Sequence, residues 1–187
     1  TTCLPKGETQ YEFAERRQPQ DVSVGSMSLE LMLANAGDRV RVGTTATGGN
    51  ISVALAEGES LELRQKTESS ALIGDRPFGR LPGWAATGDL LVAARDFWQL
   101  YPNALSFRKQ GNECGVRIGV LPEIFAADYP SAPDTIEDWV WGSLRGGVYR
   151  LRRGEGRSQE LFLTFGETDV KTTIGWAKSQ LAQPLMA

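Results

Sequence analysis

Apolar residues recur at every second position over most of this chain, and this period limits its possible folds more than any other feature. In the segment 27–33, Met27, Leu29, Leu31 and Leu33 fall on one face of an extended strand. The same alternation returns in short segments at a spacing of about ten residues, divided by Gly- and Asn-rich turns: 40–42, 51–55, 61–63, 105–107 and 116–120. Such spacing points to a sandwich or a barrel, and we expect an all-β fold, an antiparallel β-sandwich.

The period changes near the C-terminus. Val170, Ile174, Ala177 and Leu181 fit one stripe of a helix from about 169 to 183, which Pro184 would end. We therefore expect a β-sandwich domain over residues 1–166 and, over 167–187, a helix that leads to a further domain. Residues 1–70 are either the opening strands of the sandwich or, in part, the end of a preceding β domain.

Two local predictions accompany this scheme. The apolar runs 148–151 and 161–165 flank the turn Gly154-Glu155-Gly156, which predicts a hairpin. The segment 74–83 contains Pro77, Gly79 and Pro82 and is predicted to be a loop.

Charge and composition narrow the range of possible functions. The net charge of −3 leaves no surplus of cations to neutralise phosphates, which argues against nucleic acid as a partner. The absence of histidine removes the commonest general base and metal ligand, and we expect neither a metal nor a cofactor. No apolar run is long enough to cross a membrane. Cys3 and Cys114 either form one disulfide or are both free. The sequence does not decide whether the protein is secreted, periplasmic or cytoplasmic.

Two segments concentrate groups that bind carbohydrate. The segment 95–102 contains Arg95, Trp98 and Tyr101, and the loop 80–84 ends in Trp84. Aromatic faces stack on sugar rings, and a guanidinium binds a carboxylate through two hydrogen bonds. The alternative is structural: Phe97 and Trp98 fill the core while Arg95 pairs with an acid, and the Trp84 loop covers the core.

These segments also carry a resemblance to a known family. The blocks 83–84, 91–99, 101–105, 116–123, 144–154 and 159–165, with Arg-Asp-Phe-Trp-Gln at 95–99 as the most specific, resemble the YetA-like and exo-rhamnogalacturonan lyase family over residues 80–166. The resemblance implies a three-part enzyme in which this chain is the central β-sandwich, followed by a helical toroid. One departure is Arg157-Ser158-Gln159-Glu160, where the family often has a stretch like Lys-Thr-His-Glu, and this puts the substrate in doubt.

The resemblance implies β-elimination on uronic-acid-containing polysaccharides or oligosaccharides such as rhamnogalacturonan, a pectin. That reaction needs a base, a group that neutralises the carboxylate and an acid for the leaving oxygen. Arg95 is the candidate neutraliser, and Trp98, Trp84 and Tyr101 complete the predicted substrate-binding set. Tyr101, Tyr129 and lysines are conceivable bases, but no catalytic residue is assigned. We expect a supporting role next to the toroid and an isolated chain without lyase activity.

The sequence is also consistent with two alternative functions, a non-catalytic carbohydrate-binding module and a structural spacer domain. Exposed, coplanar Trp84 and Trp98 would favour the first, and two buried indoles the second. We further expect Phe97 to be buried and Arg95 to be paired with Glu123, Glu137 or Asp138, because a buried guanidinium without a carboxylate costs several kcal/mol, about 3 or more.

Overall fold

A computed structural model describes residues 22–34, 37–44, 49–123, 149–151 and 158–166, together with positions 172, 175, 177, 179 and 181. Its strands are β1 (Val22–Val24), β2 (Met27–Ala34), β3 (Arg39–Gly43), β4 (Asn50–Ala54), β5 (Ser60–Thr67), β6 (Ser70–Ile73), β7 (Arg76–Phe78), β8 (Trp84–Thr87), β9 (Leu90–Ala94), β10 (Asn103–Gln110), β11 (Glu113–Leu121), β12 (Tyr149–Leu151) and β13 (Leu161–Phe165). Within the described ranges, no helix has the length and hydropathy of a membrane span.

The chain divides into two compact units. One comprises Thr1–Ser26 and Glu123–Arg157, and its described part is a two-stranded antiparallel ribbon in which β1 pairs with β12. The other comprises Met27–Pro122 and Ser158–Ala187 and contains the remaining strands.

The larger unit consists of two antiparallel sheets. The six-stranded sheet has the order β2-β11-β10-β5-β6-β7, and the five-stranded sheet has the order β13-β9-β8-β3-β4. Alternate residues of both sheets meet in one core, as the period of two requires. Its members include Val42, Leu63, Val92, Leu105, Phe107 and Ile118, all at most 2% exposed. The all-β antiparallel sandwich is therefore confirmed.

The five-stranded sheet is apolar on its second face as well. Trp84, Leu91 and Ala93 form a separate buried cluster there with Ala177, and Leu181 and Phe162 pack against it. The five described tail positions are helical, but no complete helix is delimited. The helix over 169–183 therefore stays a prediction, although Ala177 and Leu181 lie on the face where its stripe would place them.

The structure corrects two local predictions. The predicted hairpin of 148–151 with 161–165 is wrong, because β12 pairs with β1 whereas β13 pairs with β9. Its turn, Gly154–Gly156, lies outside the described residues. The loop predicted for 74–83 contains the short strand β7, which pairs with β6 through Arg76 and Phe78.

Candidate functional site

Strand β9 leads directly into the segment that carries most of the predicted site residues. Its five residues are all buried, with Val92 and Ala94 facing the core and Leu91 and Ala93 facing the second apolar cluster. Arg95 follows Ala93 by two positions and so lies on the same side of the sheet as that cluster. The strand thus places a cation at the border of an apolar surface.

Arg95 is 6% exposed and pairs with Glu160. Glu160 Oε2 lies 2.5 Å from Arg95 Nε, and the two side chains form an ion pair. The guanidinium carbon lies 5.3 Å from the Phe162 ring centroid, within cation–π range. Arg95 Nη1 is buried and has no hydrogen-bond partner among the residues that the structure describes.

A carboxylate pairs with Arg95, as predicted, and among the described residues it is Glu160, which was not among the predicted partners. Glu160 is brought next to Arg95 because β13 pairs with β9, and Arg95 N–H donates to the Glu160 carbonyl at 3.0 Å. Glu137 and Asp138 lie outside the described residues. Phe97 is 1% exposed, so its predicted burial is confirmed.

The turn after Arg95 is fixed by a buried amide. Asp96 adopts a φ of 53°, and Leu100 N–H donates to the Asp96 carbonyl at 2.8 Å. Asn103, which is fully buried, donates from Nδ2 to the carbonyls of Phe97 (2.8 Å) and Leu100 (3.0 Å). Its Oδ1 accepts a hydrogen bond from Gln159 Nε2 at 3.1 Å. A satisfied buried amide of this kind holds a loop in one conformation.

The neighbouring loop is fixed in the same way. Gln65, also fully buried, donates from Nε2 to the carbonyls of Thr67 (2.7 Å) and Gly79 (3.2 Å), and its Oε1 accepts from Leu81 N–H at 2.9 Å. Gln65 and Asn103 are direct cross-strand partners on β5 and β10. One pair of facing amides therefore positions both loops at this end of the sandwich.

The two loops bring Arg80 and Trp98 together. The Arg80 guanidinium carbon lies 4.2 Å from the Trp98 ring centroid, and Trp98 is half-buried. Arg80 also forms an ion pair with Glu68 and donates from Nε to the Glu68 carbonyl at 3.3 Å. The Arg80 and Glu68 side chains are 52% and 58% exposed. We call Arg80 and Trp98 the stacked pair.

Trp84 lies elsewhere. It is 1% exposed, in the cluster closed by Ala177, and it packs over Gly43, where a Cβ would come within 2.3 Å of Trp84 Nε1. Its indole therefore offers no exposed face, and Trp84 and Trp98 do not form a common exposed surface. Tyr101 is half-buried and precedes a cis Pro102.

The predicted site residues are thus divided between two places. Arg95 and Trp84 belong to the second face of the five-stranded sheet, whereas Trp98 belongs to the stacked pair. The sequence analysis did not predict the roles of Gln65, Asn103 and Glu160. It selected the loop that contains Arg80 but did not predict the contacts of Arg80 with Glu68 and Trp98. A Gln or Asn at a core-facing position of an alternating strand was the available signal for the two amides.

No family model matches this chain, and no curated protein is significantly similar.

The described side chains gather no group of three or more Cys, Asp or Glu that could hold a metal ion. The two places differ in their groups: one holds the ion pair of buried Arg95 with the partly exposed Glu160, and the other holds the exposed Arg80–Glu68 ion pair, in which Arg80 stacks on Trp98. Such groups bind and orient hydroxyl and carboxylate groups.

Proposed function

We propose that this chain is a supporting β-sandwich domain of a carbohydrate-active enzyme similar to the exo-rhamnogalacturonan lyases, acting on uronate-containing glycans. The observation that carries the supporting role is the second apolar face of the five-stranded sheet. Trp84 and Leu91 on that face are buried together with Ala177 of the tail. A sheet buried on both faces serves as a layer between two others rather than as an open wall.

The Arg-Asp-Phe-Trp-Gln block supports this role by its contacts. Arg95 is buried and ion-paired, and Phe97 fills the core against Gly83, where a Cβ would come within 2.3 Å of Phe97 Cβ. Both residues are therefore engaged in the fold. Arg95 Nη1 has no hydrogen-bond partner among the described residues, although it is buried. If the neighbouring domain opened a cleft there, this donor would bind a uronate carboxylate, the acceptor that suits a guanidinium best.

The experiment is a lyase assay on the chain alone, following absorbance of the unsaturated uronate product with rhamnogalacturonan and polygalacturonate. We expect no turnover, because β-elimination needs a positioned base, and a guanidinium such as that of Arg95 is a donor that offers no acceptor for a proton. Turnover that disappears in Arg95→Ala would place the active site in this chain and contradict the supporting role.

A second candidate function is carbohydrate binding without catalysis. The specific observation in its favour is the stacked pair, in which a half-buried Trp98 and a half-exposed Arg80 lie beside the acceptor Glu68.

A further inference from the structure

We propose that Arg80, Glu68 and Trp98 form a binding site for a neutral hydroxylated sugar ring. The three residues come from three different connections: Glu68 from the β5–β6 turn, Arg80 from the β7–β8 loop and Trp98 from the β9–β10 loop. They meet at the surface through the ion pair and the 4.2 Å stacking contact. The choice of a glycan as ligand rests on the proposed function.

The site is held in place before any ligand arrives. Gln65 bonds to Gly79 and Leu81 on both sides of Arg80, and Asn103 bonds to Phe97 and Leu100 on both sides of Trp98. Both amides are fully buried, and fixed loops lose little conformational entropy when they bind. The Arg80–Glu68 pair therefore differs from the Arg117–Glu30 pair. The latter is also exposed, but its two residues lie in the middle of strands β11 and β2.

The ligand class follows from charge. Arg80 already has its counterion in Glu68, so the pair is neutral and offers no net attraction to an anion. It does offer donors and an acceptor side by side, which is what two adjacent hydroxyl groups of a sugar require. The part of the half-buried Trp98 indole that Arg80 leaves accessible adds apolar surface for the C–H side of the ring. A neutral sugar therefore fits better than a uronate at this site.

The test is an NMR titration of the intact chain that follows the Trp98 indole N–H, assigned with Trp98→Phe. The probes are galactotriose and trigalacturonate, which differ in the group at C6. We expect a saturable shift with galactotriose, and Arg80→Met should weaken this binding about tenfold or more because it removes the donors. Arg117→Met, the matched change at the other exposed pair, should leave the affinity unchanged.

Glu68→Gln tests the charge argument. It keeps an acceptor but leaves Arg80 with a net positive charge, so binding of trigalacturonate should become several-fold tighter, while that of galactotriose changes little. Absence of a saturable galactotriose shift, or a shift that survives in Arg80→Met, overturns the site. Tighter binding of trigalacturonate than of galactotriose by the unmodified chain overturns the ligand class.

Failure of this site is distinguishable from failure of the proposed function. Lyase turnover by the chain would contradict the supporting role without affecting the titration. Loss of galactotriose binding would remove the stacked pair as a site and leave the lyase assay unchanged. Urea unfolding of Arg80→Met verifies that the variant is folded, which the 52% exposure of Arg80 leads us to expect.

Discussion

The two side chains of the Arg95–Glu160 ion pair are unequally buried. This difference predicts which of the two substitutions lowers the free energy of unfolding more. The Arg95 side chain is 7% exposed and that of Glu160 is 42% exposed. Glu160→Ala would leave a buried guanidinium without its counterion, which we expect to lower the free energy of unfolding by about 2 to 4 kcal/mol. Arg95→Met leaves only a carboxylate that water reaches and keeps an apolar stem near Phe162, and it should cost about 1 kcal/mol.

Urea unfolding of the two single variants and the double variant measures this difference. The double variant should be more stable than Glu160→Ala alone, because it no longer contains an unpaired buried charge. If Arg95→Met proved the more damaging single change, Arg95 would act mainly through its packing, and the account of the ion pair would be wrong.

Cys114, which the sequence left as either free or disulfide-bonded, has a free and buried thiol in the structure and provides a prediction on pH. Burial raises the pKa of its thiol above the ordinary value of 9.0, against weaker lowering effects of the Arg108 backbone and Lys109. The folded state then holds this proton more tightly than the unfolded state, so its contribution to stability is complete below pH 9.0 and is lost as the pH rises above it. We expect the free energy of unfolding to fall above that pH, and Cys114→Ala to fall less steeply over the same range. Parallel curves for the two proteins would contradict the assignment.

At the scale of elements, two strand glycines with ordinary backbone conformations differ in what lies above them. A Cβ on Gly43 in β3 would lie 2.3 Å from Trp84 Nε1, whereas one on Gly115 in β11 would meet Met32 Sδ at 3.4 Å. Gly43→Ala should therefore cost about 1 to 3 kcal/mol by overpacking a fully buried indole. Gly115→Ala is the matched control and should be neutral or slightly stabilising.

The free energies of unfolding of the two variants, measured in urea, decide this prediction. Tryptophan emission adds a second measurement, with Trp84→Phe as the reference that identifies the share of Trp84 among the five tryptophans. Displacement of the Trp84 indole toward water would shift the spectrum of Gly43→Ala and not that of Gly115→Ala. Equal stabilities of the two variants would show that the cluster around Trp84 adapts without cost.

The alternation in the sequence was enough to predict most strands of the two sheets, because the period of two follows directly from the geometry of a strand. It was wrong for β7, which was predicted as a loop, and for the start of β2, where Met27 and Leu29 are exposed rather than buried. It could not predict which strands pair, since alternation looks the same beside any neighbour. The runs around 149–151 and 161–165 are close in sequence and suggested a hairpin, yet Tyr149 pairs with Val24 and Leu161 with Ala94.

The same limit explains the errors at the candidate site. Glu160 lies next to Arg95 only because β13 pairs with β9. No local sequence pattern predicts that pairing of strands. Trp84 and Trp98 are both tryptophans after a turn, and only the fold separates a buried indole from one that stacks on Arg80. Aromatic composition therefore predicted the region of interest but not the residues that remain accessible.

At the scale of the whole larger unit, the second face of the five-stranded sheet depends on the tail. Ala177 is fully buried in the cluster with Trp84, Leu91 and Ala93, whereas Ser179, two positions later, is exposed. The small Ala177 side chain lets the tail approach the sheet closely, and a charge at that position would be buried without a partner.

Ala177→Glu should therefore detach the tail from the sheet, while Ser179→Glu, the matched control, should leave it in place. We expect limited proteolysis to cut the tail of Ala177→Glu several-fold faster, because cleavage follows the population of the open form. Emission from Trp84 should shift to longer wavelength in the same variant, since its indole would lose the cover that keeps it 1% exposed. Equal cleavage rates and equal spectra for the two variants would mean that Ala177 does not hold the tail. The tail would then be secured by contacts other than the burial of Ala177 in this cluster.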